Sequence, residues 1–139
     1  MKVKKVMHKG ATCAEPGTLV REIAKRMRDS DIGAIPVTAN GQLVGMVTDR
    51  DITCRALGNS GDVRKMTAKD VMTKNVVCCS PDDDVEVAIE VMESKKIRRL
   101  PVIDSHKAMI GMLSLGDISL RVGKGRLGKV LRAVSWHHV

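Results

Sequence analysis

With 139 residues, 43% of them hydrophobic, the chain is long enough for one compact domain or two small units sharing a core, without metal or disulfide staples. Trp136 is its one aromatic residue and Phe and Tyr are absent, so the core is aliphatic and the base-stacking platforms of single-stranded nucleic-acid binders are missing. A net charge of +8 favours anionic partners such as nucleotides, nucleic acid or acidic proteins.

The N-terminal MKVKKVMHKG is basic and no apolar signal core follows it. No apolar run approaches the ~18 residues of a membrane span, so a soluble cytoplasmic protein is expected. Residues 11–14 read as a short extended stretch, followed by a turn at Pro16 with Thr18 near a helix start. Val20, Ile23, Ala24 and Met27 then recur at helical spacing. Pro36-Val37-Thr38 opens a strand, with proline at its tolerated first position. A tight turn at Asn40-Gly41 leads into a second strand at 43–48, and a second helix starts at Asp49.

After residues 58–70, a stretch rich in Gly, Ser, Asp and Lys, the same grammar returns. At an offset of 65, Met7 falls on Met72, Pro16 on Pro81, Val20 on Val85, Met27 on Met92 and Ile32 on Ile97. Pro36-Val37 falls on Pro101-Val102, and Asp83 stands near the second helix start. One inserted residue within 105–108 moves the offset to 66. GMVTDRDI at 45–52 then faces GMLSLGDI at 111–118, with Thr48 on Ser114 and Asp51 on Asp117. The expected fold class is α+β: two β-α-β-β-α repeats related by pseudo-twofold symmetry, each too short to bury a good core alone. The predicted boundaries are repeat 1 at 1–57, a linker at 58–70, repeat 2 at 71–122 and a basic amphipathic tail at 123–139.

The doubled hydroxyl-and-acid corner carries the chemistry. A helix N-terminus presents unpaired N–H groups that favour anions, and Thr48 or Ser114 with an acid three residues on matches a capping box. A carboxylate is also the natural acceptor for the vicinal hydroxyls of a ribose. Both readings stand, and they are compatible.

The repeat, DIGAIPV against KIRRLPV, and the two corner motifs resemble the cystathionine-beta-synthase (CBS) domain family, over about residues 7–121. The resemblance implies a tandem pair, or Bateman module, forming a disc-like homodimer. It implies adenosine-containing ligands (AMP, ADP, ATP, in some members S-adenosylmethionine) in clefts between the repeats, the base slipping between aliphatic side chains. By that resemblance one cleft holds Thr48 and Asp51 and is completed by Val76, Val77, Ile97, Arg98 and Arg99. The other holds Ser114 and Asp117 and is completed by Thr12, Ile32, Gly33 and Ala34. Arginine forks bind phosphate oxygens, so the Asp51 cleft is expected to take the phosphorylated ligand. The Asp117 cleft lacks a cation and is expected to be weaker. No histidine is expected in either cleft.

Cys13, Cys54, Cys78 and Cys79 lack the paired spacing of zinc ribbons and read as small buried hydrophobes. Cys13 and Cys78 occupy equivalent positions, which leaves a redox or metal role open. Four histidines, His8, His106, His137 and His138, are scattered. Leu127, Val130, Leu131 and Val134 with Lys129 and Arg132 between them predict an amphipathic tail helix packing on its own module. RVGKGRLGK before it lacks the serine or threonine of a phosphate loop. No catalytic constellation and no metal site is read, so a non-enzymatic module regulating an unidentified downstream protein is expected. A structural, redox or zinc-linked dimer is the alternative within the same fold. A basic nucleic-acid binder, the second alternative, would show steep salt dependence.

Overall fold

The computed structural model describes residues 1–135; Trp136, His137 and His138 lie outside the described residues. The chain divides into two compact units. The first-repeat unit comprises Ala11–Val76 with Lys107–Met109, and the second-repeat unit comprises Met1–Gly10, Val77–His106 and the chain from Ile110 onward.

In the first-repeat unit, α1 (Val20–Ser30) buries Val20, Ile23 and Met27, one face of the helix, as the spacing predicts. It ends at Asp31, whose φ of 51° is the left-handed C-cap conformation. Strands β2 (Ala34–Ala39) and β3 (Gln42–Thr48) form an antiparallel hairpin. Its turn, Asn40-Gly41, has φ of 54° and 79°, the pair of positive values that a two-residue turn of matching twist demands. The chain then passes directly into α2 (Asp49–Asp51), which continues as a π-helical turn over Ile52–Leu57. A single helical turn, α3 (Ala68–Val71), closes the unit.

The second-repeat unit repeats this plan with α4 (Val85–Lys95), β4 (Arg99–Ile103), β5 (Met109–Ser114) and α5 (Leu115–Ser119). Helix α4 buries Val85, Ala88, Ile89 and Met92 and ends at Lys96, with φ of 56°. Its sheet has a third strand, β1 (His8–Lys9), giving the order β1-β5-β4. The tail forms α6 (Lys124–Ser135), which buries Val130 and Val134 in the core of its own unit. Arg126 anchors it to α4, donating to Glu86 at 2.6 Å and to both oxygens of Glu93.

Three local expectations are corrected. Thr18 and Asp83 are not helix caps: Thr18 Oγ1 accepts from Glu15 N–H and Asp83 Oδ2 accepts from Ser80 N–H, so each ties the turn before its helix. The residues at the cap positions are Leu19 and Asp84, neither with a side-chain cap bond. The first helical N–H is met instead by a distant carbonyl, Met66 for Val20 and Met1 for Val85. Pro36 and Pro101 are the third residues of their strands rather than the first. Their missing N–H costs no bond because the parallel bridges use the proline carbonyls, which accept from Ala14 and Cys79, and the N–H groups of Thr38 and Ile103.

The third correction concerns the core. Each unit closes a buried cluster of its own, although neither repeat was expected to suffice alone. The reason lies in two straps, residues 1–10 and 66–75, at equivalent repeat positions. Residues 1–10 run along the body of repeat 2, where Val3 N–H donates to Asp83 and Lys4 N–H to Pro81. Residues 66–75 run along the body of repeat 1, where Ala68 N–H donates to Thr18 and Lys69 N–H to Pro16. Val3 is fully buried in one cluster, and Ala68 and Val71 are buried in the other. Each body thus acquires the apolar cover that its own half lacks.

Candidate functional site

The two corners are built alike. Thr48 and Ser114 end their strands in extended conformation, with φ/ψ of −107°/163° and −114°/161°. Thr48 Oγ1 accepts from Asp51 N–H at 3.1 Å, while Asp51 Oδ2 accepts from Thr48 N–H at 2.9 Å. Ser114 Oγ accepts from Asp117 N–H at 3.2 Å, and Asp117 Oδ2 accepts from Ser114 N–H at 2.8 Å and from Ser114 O–H at 2.7 Å. Both corners are therefore complete capping boxes. Asp51 and Asp117 are each 9% exposed, and among the described residues they are the only buried charged side chains. Burying a carboxylate is costly unless it is well bonded, and the capping box satisfies one oxygen in each case.

The outer oxygens differ. Asp51 Oδ1 has no hydrogen bond among the described residues; its nearest cation is Arg55 Nη1 at 3.8 Å. Arg55 stands on the π-helical turn and spends the same nitrogen on the Val71 carbonyl at 3.1 Å and on Thr73 Oγ1 at 3.2 Å. Such π-turns recur at functional positions. Asp117 Oδ1 is occupied: His8 Nδ1 lies 2.7 Å away. The expectation that no histidine stands at an acid corner is thus corrected. His8 belongs to the strap of its unit, residues 1–10, which the sequence presents as a basic N-terminus.

Each corner also touches the segment leading into the preceding strand. Asp49 N–H donates to the Gly33 carbonyl, and Ala34 pairs in register with Thr48. Leu115 N–H donates to the Arg98 carbonyl. So Gly33 and Ala34 lie beside the Thr48–Asp51 corner, with Ile32 exposed just before them, and Arg98 lies beside the Ser114–Asp117 corner. Arg98 and Arg99 are exposed, as is Thr12, whereas Val76, Val77 and Ile97 are half-buried. Sequence reasoning missed Arg55, His8 and Thr73. The signal was available for two of them, since His8 and Thr73 are equivalent under the 65-residue offset.

The cysteines separate by environment. Cys79 is buried in the core of its unit, and its pKa is pushed up from 9.0 to about 12, by burial first and then by the Asp83 and Cys78 charges. Cys13 and Cys78 are half-buried, and burial raises both. Cys54 is exposed, which corrects the expectation of a buried thiol there. Among the described residues no three His, Cys, Asp or Glu side chains are grouped to hold a metal ion, and no helix is long and apolar enough to cross a membrane.

Doubled strand-to-helix corners with buried acids, on two β-α-β-β-α bodies, define a tandem repeat module of α+β class. The CBS domain model matches residues 3–57 and 68–123, and the chain belongs to that family. It is similar over nearly its whole length to the CBS domain-containing protein YhcV of Bacillus subtilis, 31% identical across 99% of this chain and 97% of that one. Hypoxic response protein 1 of Mycobacterium tuberculosis is 28% identical across 93% of this chain and 90% of its own. The crystal structure of Hypoxic Response Protein I with two coordinated zinc ions superposes with a TM-score of 0.80 at 29% identity, covering 88% of this chain and 100% of that one. The CBS domain pair of protein MJ0100, in complex with 5′-methylthioadenosine and S-adenosyl-L-methionine, gives a TM-score of 0.78 at 28% identity with the same coverage. A homoserine O-acetyltransferase of Methanohalobium evestigatum is 37% identical across 84% of this chain, but the match spans only 23% of the enzyme.

Proposed function

We propose that the chain is a non-catalytic regulatory module that binds an adenosine-containing ligand, AMP, ADP or ATP, with Asp51 as the ribose acceptor. The observation that carries this reading is the state of Asp51: a buried carboxylate with one oxygen held by its cap and the other without a hydrogen bond among the described residues. That arrangement leaves an acceptor pre-oriented for a ligand hydroxyl, and hydrogen bonds to an ionised acceptor are the stronger ones. The MJ0100 pair, bound to two adenosine derivatives, supports the ligand class.

In this reading Thr48 and Asp51 hold the ribose side, Val76, Val77 and Ile97 enclose the base, and Arg98 and Arg99 take phosphate. The weaker site comprises Thr12, Ile32, Gly33, Ala34, Ser114 and Asp117. The module works as a homodimer, and ligand binding biases a downstream protein through differential affinity for two states.

A thermal-shift titration with AMP, ADP, ATP and S-adenosylmethionine tests the reading, with Asp51→Asn and Arg99→Ala alongside. A ligand that binds only the folded state stabilises it by ~2.7 kcal/mol at a hundredfold excess over its dissociation constant. Asparagine preserves the cap acceptor but removes the charge, so Asp51→Asn is expected to weaken the favoured nucleotide by about tenfold or more. Arg99→Ala is expected to weaken phosphorylated ligands selectively. No shift with any of the four at millimolar concentration sinks the nucleotide reading. A shift with zinc alone would then favour the metal-linked alternative.

A further inference from the structure

The two acid corners share one cap geometry, yet among the described residues the strap reaches the acid with a side chain at one of them alone, through an imidazole. His8 lies on β1, paired with Met112 on β5, and its Nδ1 is 2.7 Å from Asp117 Oδ1. With Oδ2 already taking the N–H and O–H of Ser114, both oxygens of Asp117 are engaged. A carboxylate has about four acceptor positions. The cap uses two of those on Asp117, and the imidazole stands at hydrogen-bond distance on the outer oxygen, where a ligand hydroxyl would have to bond.

The ring is displaceable and its backbone is not. His8 is 78% exposed at its side chain, against 8% for Asp117, so no packing locks the imidazole in place. The strap beneath it is held closely: a Cβ built on Gly111 would stand 2.5 Å from the His8 carbonyl oxygen. Val3, at the other end of the strap, is fully buried. The other strap has Thr73 at the equivalent position, and there the outer oxygen of Asp51 has no hydrogen bond among the described residues.

We infer that His8 is a built-in competitor for the Asp117 corner, a specificity residue that makes the two corners unequal toward an adenosine ligand. The inference rests on the ribose-acceptor reading of the acids given above. It locates the inequality in an imidazole on the outer oxygen of Asp117, in addition to any contribution from the arginines.

Calorimetric titration of the full chain with AMP tests it. Asp51→Asn weakens the first corner, so that binding at the second is measured. Adding His8→Ala, or His8→Thr to install the residue of the other strap, is expected to tighten the remaining binding by about twofold to fivefold, the range for removing a polar contact made by an exposed side chain. Equal affinity in Asp51→Asn with and without either His8 substitution overturns the inference. So does binding that is seen in the wild type but in neither double variant. Absence of AMP binding in every form, the wild type included, sinks the nucleotide reading and this inference with it, whereas wild-type binding without a His8 effect sinks the inference alone.

Discussion

At the Asp51 corner the strap contributes Thr73, whose hydroxyl takes a hydrogen bond from Arg55, and the outer carboxylate oxygen has none among the described residues. At the Asp117 corner the strap contributes His8, which lies on that oxygen. The caps are otherwise alike. The difference teaches that a duplicated fold conserves what holds it together and diverges where a single side chain reaches across. The capping boxes fix where each acid sits, and the strap residue differs in whether its side chain reaches the outer oxygen. Comparing equivalent positions of the two bodies therefore separates structural from functional use of the same motif.

The largest expected contrast lies in the lead-in stretches, where Cys79 stands in one body at the position that Ala14 fills in the other. Both make parallel bridges to their strands and both are buried, so the thiol packs as a small apolar group. A thiol whose pKa moves from 9.0 to about 12 holds about a thousandfold less thiolate at neutral pH. Alkylation of the native protein is expected to label exposed Cys54 first, then half-buried Cys13 and Cys78 at similar rates. Cys79 should lag by about a thousandfold or more until the protein unfolds. Peptide mapping after timed labelling checks the order. Early labelling of Cys79 would show that its body opens locally, and a wide gap between Cys13 and Cys78 would break the equivalence of the two lead-ins.

A smaller contrast is expected at the glycines beneath the straps. A side chain at Gly111 meets the backbone carbonyl of His8, which cannot step aside without lifting β1. At Gly45 the obstacle is the Met72 side chain, whose sulfur can swing away but whose Cγ at 2.9 Å and Cβ at 3.2 Å stay close to the strap backbone. Gly111→Ala is thus expected to cost about 1–3 kcal/mol, and Gly45→Ala an amount toward the lower end of that range. Chemical denaturation of the two variants measures the difference. Equal costs would mean that the strap over repeat 2 yields as easily as a methionine.

Much of this was legible because the signals are local. Helical spacing at Val20, Ile23 and Met27, positive-φ residues at Asn40-Gly41, and a hydroxyl three residues before each acid all act within one turn or hairpin. The strap exchange was not legible, because Met1–Gly10 pairs with residues far along the chain and its apolar positions, Val3 and Val6, fit no period. The helix caps were misread for a related reason. The N–H groups of Val20 and Val85 are met by strap carbonyls, so no local hydroxyl is required. His8 on Asp117 is the functional counterpart of that miss. The repeat offset did align Met1–Gly10 with 66–75, and Gly10 and Asn75 both adopt positive φ at the ends of their straps.

The smallest expected effect separates the straps by charge. Lys2 pairs with Asp84 at 3.1 Å and Lys4 with Asp82 at 2.8 Å. The equivalent places along the other strap are Thr67 against Leu19 and Lys69 against Gly17, which make no ion pair. The lysine hydrogen bonds, and then the lysine charges, hold both carboxyls below their ordinary range. A folded-state pKa below the unfolded value means that the stabilisation is present above the ordinary carboxylate range and is lost as pH falls through the folded value. Both acids are exposed, so the contribution is small and screened by salt. Protection factors of the strap amides against hydrogen exchange, corrected for intrinsic rates, are expected to fall modestly over residues 3–10 when pH is lowered below the carboxylate range, or when salt is raised at neutral pH. Residues 66–75 should change less in either case. An equal response in both straps would place the holding energy in the buried Val3, Ala68 and Val71 and in the backbone bonds, with the lysines contributing nothing measurable.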